Sequence, residues 1–228
     1  MKSAVRSTGT KTADIRVNVG CGSSPTAGWV NFDNSLTVRV AHWPAAPALL
    51  AALHRLSPQS AALSTLAGRR HIHFANATSR IPCATGSAAA VYSSHMIEHL
   101  DRAEAQAFLA EVKRVLSPGG VLRLAAPDLS RLVRDYVASG DADGFVAGLH
   151  MGLSRPAGLR DWARWVLVGP RHHLWMYDGS SLAALVGKAG FAEVTVLPPG
   201  ETGIEDPGQL DLAERAAESI YVEAVRPA

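Results

Sequence analysis

Cysteine is scarce: Cys21 and Cys83 are the only two in 228 residues. Two cysteines cannot form a disulfide framework, so a reducing, cytoplasmic setting is the simple expectation. Long apolar runs are also missing. No stretch could span a bilayer, and the polar, basic segment 1–14 lacks the apolar centre of a secretory signal, so it reads as a loose tail. Charge of one sign is absent too. The 22 Lys and Arg against 20 Asp and Glu leave a formal net charge of +2, and apart from Arg69-Arg70 the arginines are scattered. There is no basic stripe, so neither nucleic acid nor membrane is expected as a partner. The G-x-S-x-G elbow is missing, so Ser94-His95 does not point to a hydrolase.

What is present is globular: 47% hydrophobic and 18% charged residues, with no internal repeat. The length suits one domain, expected over residues 15–228. Short apolar runs alternate with helical patterns. Strands are expected at 15–19, 29–32, 71–74, 88–92, 121–126, 194–197 and 220–225. Between them, Ala- and Leu-rich residues 45–67 read as two short helices broken at Ser57-Pro58. Residues 101–116 read as the clearest helix, with Asp101 as N-cap, Glu104 completing a capping box, and Phe108, Leu109, Val112, Val115 and Leu116 as its apolar stripe. Pro118-Gly119-Gly120 should end it. A helix to about Ser139 follows Asp128, and Asp178 caps another that stops at Gly190. Residues 141–170, with Trp162 and Trp165, suit a helical lid insertion, and 210–218 a short helical run. The fold class is therefore α/β, a Rossmann-like, mostly parallel seven-stranded sheet with helices on both faces and the last strand antiparallel.

In such a sheet, ligands bind beyond the carboxyl ends of the strands. Gly20-Cys21-Gly22 follows the first strand and lets the backbone approach a ligand closely, while Asp33 ends the second strand and can accept hydrogen bonds from ribose hydroxyls. A dinucleotide site wants a third glycine and a long helix under the pyrophosphate, but here Ser23-Ser24-Pro25 follow and Asp33 arrives too early for a full crossover. A nicotinamide cofactor is disfavoured. A plain tight turn beside a surface aspartate stays open on these residues alone.

Further strings reinforce the first. They are Val17-Asn18-Val19-Gly20-Cys21-Gly22, Gly28-Trp29-Val30-Asn31-Phe32-Asp33, Ser93-Ser94-His95-Met96-Ile97-Glu98-His99-Leu100, Leu116-Ser117-Pro118-Gly119-Gly120, His173-Leu174-Trp175-Met176-Tyr177-Asp178 and Ala189-Gly190-Phe191. In this order, from about Ile15 to the C-terminus, the chain resembles class I S-adenosylmethionine-dependent methyltransferases, in particular the methyltransferase type 11 group. The resemblance implies S-adenosylmethionine as cofactor. Gly20, Cys21 and Gly22 would line its methionine part, Asp33 would hold its ribose, and Ser93 and Ser94 would stand where methyl donor and acceptor meet. Asn76 falls where such enzymes place an acid against the adenine amino group; a capped turn after a strand is the other reading. The chain departs from the family pattern at Asn18, where an acid is common, so any contact there to the cofactor's amino group is weakened or water-mediated. The stretch from Gly22 to Trp29 is short for a parallel crossover, so the first helix is reduced to one turn or lost.

His95, Glu98 and His99 carry the remaining chemistry. H-x-x-E-H matches an inverted zinc-protease motif, but here it begins at a strand end and not within a long helix. A related Glu-x-x-Glu-His pattern binds a divalent metal in some methyltransferases, and the change to His95 would favour zinc over magnesium. The favoured reading has no metal: Glu98 and His99 make structural hydrogen bonds, and His95 faces the substrate cleft as the catalytic base, with His99 or His173 as second choices. Arg171-His172-His173 with Trp175 and Tyr177 reads as a packed entry loop or as a cover over the substrate. Cys21 reads as a small turn residue. The expected function is methyl transfer to a hydroxyl of a small molecule or saccharide, in an oligomeric state that the sequence leaves open. An inactive, methyltransferase-like scaffold is the alternative.

Overall fold

The computed structural model describes residues 15–41, 72–152, 158 and 172–228. The expected tail at 1–14, the helices within 45–67, Trp162, Trp165, Arg171 and much of the expected lid lie outside these residues. Seven strands form one sheet: β1 (Ile15–Val19), β2 (Val30–Asp33), β3 (His73–Phe74), β4 (Ala88–Ser94), β5 (Leu116–Pro127), β6 (Ala192–Leu197) and β7 (Ser219–Val225). Their order is β3-β2-β1-β4-β5-β7-β6. Strands β1 to β5 pair in parallel, and β7 inserts antiparallel between β5 and β6. This is the expected Rossmann-like α/β sheet with its last strand reversed. Chain order turns around between β1 and β4, so the crevice for a ligand opens beyond their carboxyl ends.

The described helices are α1 (Leu36–Ala41), α2 (Arg102–Val115), α3 (Leu129–Ser139), α4 (Ala142–Gly148) and α5 (Gly179–Lys188). The capping box expected for α2 is formed: Asp101 Oδ1 accepts from Glu104 N at 2.8 Å, and Glu104 Oε2 accepts from Asp101 N at 3.0 Å. The stripe Ala105, Phe108, Leu109, Val112 and Val115 is buried against the sheet. Asp178 caps α5 in the same way, and Leu182, Leu185 and Val186 complete that core. Strand alternation aims Val17, Val19, Val91, Leu122, Leu124, Val222 and Ala224 into this cluster. Each fully buried Phe or Leu there contributes about 1.5–3 kcal/mol. The alternate positions Ala90, Tyr92, Ala125 and Tyr221 form a second cluster with Trp29, Ile204 and Leu210.

Two local expectations are corrected. Leu210–Glu218 is a run of turns and not a helix, with Ala216 N donating to Ala213 O at 3.0 Å and Glu218 N to Arg215 O at 2.9 Å. Sheet side chains hold it in that path. Tyr92 OH donates to Glu214 Oε2 at 2.8 Å, Tyr221 OH to Glu214 O at 2.6 Å, and Arg123 Nη2 to Leu212 O at 2.8 Å. Tertiary bonds outweigh a short helical propensity. Second, β5 begins at Leu116, so Pro118-Gly119-Gly120 lies inside a strand segment, where Gly119 N donates to Arg226 O at 2.9 Å. As the short spacing predicted, no helix joins β1 to β2. Asn31 takes over its hydrogen bonding: Oδ1 accepts from Thr26 N at 2.8 Å, and Nδ2 donates to Thr26 O at 3.0 Å and Trp29 O at 2.9 Å. Buried Asn18 adds a bond from Nδ2 to Thr26 Oγ1 at 3.1 Å. Asn31 thus pairs three backbone groups of this loop, and Asn18 holds the Thr26 side chain.

Candidate functional site

Beyond β1 the chain turns through Gly20 and Gly22, both with positive φ, at 71° and 52°. Gly20 is needed for space as well as conformation, since a Cβ there would lie 2.8 Å from Met96 Cγ. At Gly22 a Cβ would meet nothing within 4 Å, so the turn opens outward there. Gly20 N donates to Phe32 O at 2.8 Å, which ties the turn to β2. Asp33, at the end of β2, closes the cradle: Oδ2 accepts from Gly22 N at 3.2 Å and Oδ1 from Ser35 N at 2.8 Å. The Cys21 thiol between the glycines is buried, and burial, helped by the Asp33 charge, pushes it up to about 12. It is an inert turn residue, as expected.

Asn18, where a weakened or water-mediated contact was expected, is 3% exposed and donates from Nδ2 to Thr26 Oγ1. Asn76 is exposed, and its Oδ1 accepts from Thr78 N at 3.1 Å and Thr78 Oγ1 at 2.8 Å, the capped turn that was one of its two readings. At the end of β4, the buried Ser93 and Ser94 hydroxyls have no hydrogen-bond partner among the described residues. Both stand at the carboxyl end of β4, where such a sheet places its ligand.

Directly after β4, His95 sits at φ 47° with its N–H on Ala125 O at 2.9 Å. Among the described residues, its ring has a hydrogen-bond partner at Nε2 alone. Nε2 lies 2.8 Å from Ser219 Oγ, and Nδ1 lies 3.4 Å from Glu98 Oε1. Ile97–His99 forms one 3-10 turn. The segment 172–175 is clamped to it, with Leu174 N and Trp175 N donating to Glu98 O at 2.8 and 3.1 Å, and His99 Nδ1 3.0 Å from His172 O. This clamp brings His173 to Glu98 and His99. One ligand atom from each of the three falls within 4.8 Å of the others. His173 Nδ1 lies 3.2 Å from Met176 Sδ, and its ring meets those of His99 and His150 edge-on, at 5.1 and 5.3 Å. Burial holds the His173 imidazole below its ordinary value, against the pull of Glu98.

The expectation for Glu98 is corrected here. It is 1% exposed, yet neither carboxylate oxygen makes a hydrogen bond among the described residues; its structural bonds run through the backbone oxygen instead. His99 does make the structural bond expected of it. The pairing of His173 with Glu98 and His99, and the contact of Ser219 with His95, were not legible in sequence. Both rest on chain segments far apart in order, and the one available signal was that His173 opens a quoted motif of its own.

Residues 17–124 match the family described as a methyltransferase domain. In the solved structures, the chain is similar to the S-adenosylmethionine-dependent methyltransferase SibL in its apo form, at 15% identity and TM-score 0.47, covering 94% of this chain and 51% of that one. It is similar to an S-adenosylmethionine-dependent methyltransferase of Thermotoga maritima at 15% identity and TM-score 0.48, covering 93% and 82%. A third similar structure is phosphoethanolamine N-methyltransferase 2 of Haemonchus contortus in complex with S-adenosyl-L-methionine, at 12% identity and TM-score 0.46, covering 97% and 50%. The chain thus spans about half the length of two of these proteins. No curated protein sequence matches it.

Proposed function

We propose that this chain, whose residues 17–124 belong to the methyltransferase-domain family and which uses the cofactor of class I S-adenosylmethionine-dependent methyltransferases, methylates a hydroxyl of a small molecule or saccharide. The observation that carries the reading is the cradle itself: a turn open at Gly22, closed by the Asp33 carboxylate, beside Ser93 and Ser94 at the end of β4. These residues fit the cofactor. Asp33 would accept from its ribose hydroxyls, the Gly20-Cys21-Gly22 backbone would line its amino-acid end, and Asn76 would contact its adenine edge through the amide. When bound, S-adenosylmethionine supplies an electrophilic methyl group on a sulfonium. It carries no phosphate, which suits a β1–β2 connection without a helix.

The protein's own part is to orient the acceptor and take its proton. His95 is the base in this reading. Glu98 behind Nδ1 steers the ring, and the Ser219 hydroxyl at Nε2 relays the proton from an acceptor hydroxyl that the ring does not touch directly. Orientation at the end of β4 supplies the rest of the rate.

Calorimetry with S-adenosylmethionine and its demethylated product tests the cofactor, and a panel of hydroxylated small molecules and saccharides tests the acceptor. Absence of heat with both sulfur compounds overturns the reading, and binding without turnover on the panel transfers the chain to a scaffold role. His95→Ala should lower turnover with cofactor affinity unchanged. A large affinity loss in that variant would move His95 into the cofactor site.

A further inference from the structure

Glu98 is the anomaly in this molecule. A carboxylate taken out of water without hydrogen bonds is costly, and native proteins avoid it unless something else meets the charge. The histidines around it are arranged to do more than solvate it. Nδ1 of His99 is held by the His172 carbonyl, which selects the Nδ1–H tautomer and leaves Nε2 as a lone-pair donor. Nδ1 of His173 lies 3.2 Å from Met176 Sδ.

We infer that Glu98, His99 and His173 form a binding site for a divalent transition ion of the zinc class. The donor set of two imidazoles and one carboxylate suits zinc and disfavours magnesium or calcium, which take oxygen ligands. Three protein ligands leave a further position for an oxygen, water or a hydroxyl. A second layer supports the first. Ser219 Oγ holds His95, whose Nδ1 backs Glu98 Oε1 at 3.4 Å, and the His172 carbonyl orients His99. Backbone bonds from Leu174 and Trp175 to Glu98 O lock the two ligand-bearing segments in register. In the disfavoured metal reading of the sequence, His95 would be the ligand beside Glu98 and His99. In the structure His173 takes that place, and His95 stands behind the carboxylate. This site does not depend on the methyltransferase reading, because it needs neither cofactor nor acceptor.

The test uses the full, untagged chain, treated with chelator and dialysed, in the absence of S-adenosylmethionine. Calorimetry with zinc should show one equivalent bound, and zinc should raise the melting temperature. Cobalt(II) should give visible d–d bands of a four- or five-coordinate site. Glu98→Gln, nearly isosteric, and His173→Gln should each weaken zinc binding at least tenfold and abolish the bands. Zinc-edge X-ray absorption on the unaltered protein should show a nitrogen and oxygen shell with the outer scattering of two imidazoles. Absence of binding, full binding in folded Glu98→Gln, or a shell containing sulfur from Cys21 or Cys83 overturns the inference. If both variants misfold, the absorption spectrum of the unaltered chain alone decides it. The methyltransferase reading fails or stands separately, on cofactor calorimetry of metal-free protein.

Discussion

Two glutamates are buried in this sheet's surroundings, and they are treated in opposite ways. Glu223 on β7 is 6% exposed and fully met: its Oε1 accepts from Arg123 Nη1 at 2.7 Å and Thr202 Oγ1 at 2.6 Å, and Oε2 from Gly203 N at 2.7 Å. Arg123, itself wholly buried on β5, goes on to donate to Glu201 O at 2.7 Å and Leu212 O at 2.8 Å, and its guanidinium lies 4.9 Å from the Tyr221 ring centre. That seam staples the segment 201–212 onto the β5–β7 face. The Glu98 carboxylate, in a residue 1% exposed, accepts no hydrogen bond among the described residues. A satisfied buried charge organises structure, and an unsatisfied one at the mouth of a sheet is kept for a ligand. The difference separates the scaffold from the site without reference to any relative.

The comparison breaks first at Glu223. Glu223→Ala leaves Arg123 buried without its counter-charge, and should lower the free energy of unfolding by about 3–5 kcal/mol in urea denaturation. A loss under about 1 kcal/mol would mean that the seam is not the structural element its bonds suggest. On the site side, Asp33→Ala should weaken S-adenosylmethionine binding tenfold or more, about 1.4 kcal/mol, by calorimetry. Its effect on unfolding should be small beside that of Glu223→Ala. Glu98→Gln sharpens the contrast. In metal-free protein, denaturation should give a stability within about 1 kcal/mol of the parent, or higher, because no hydrogen bond is lost and a buried charge is removed. A loss of several kcal/mol there would erase the distinction between the two glutamates.

The smallest effect concerns Cys21. Burial raises its thiol to about 12, above its ordinary 9.0, so the folded chain holds the proton through a range where the unfolded chain releases it. That contribution to stability is complete below pH 9 and is lost as pH rises toward 12. At pH 8 the folded thiol has about a thousandfold less thiolate than a free one, so iodoacetamide should alkylate Cys21 only after unfolding. Alkylation of Cys21 in the native protein faster than that of the half-buried Cys83 would contradict the geometry.

All seven strands were legible, because period-two alternation and glycine punctuation are local signals. So were the ends of α2 and α5, where Asp101 and Asp178 form the expected caps. The cradle was legible as well, since a glycine pair and an early acid are read directly by spacing. The segment 210–218 was misread because its helical composition is overruled by Tyr92, Arg123 and Tyr221 reaching across from the sheet. Asn18 was read as a weakened ligand contact, yet it serves the loop that replaces the first crossover helix.

By itself, the order of residues determined the α/β class, the strands, the helix caps and the Gly20-Cys21-Gly22 turn with Asp33 at the next strand end, since each depends on neighbours a few positions apart. Only the tertiary structure decided that Arg123 answers Glu223, that His173 comes to Glu98 and His99, and that His95 stands behind the carboxylate against Ser219. Those pairings join segments far apart in the chain, and the partner of a buried charge is chosen by how the chain returns to it.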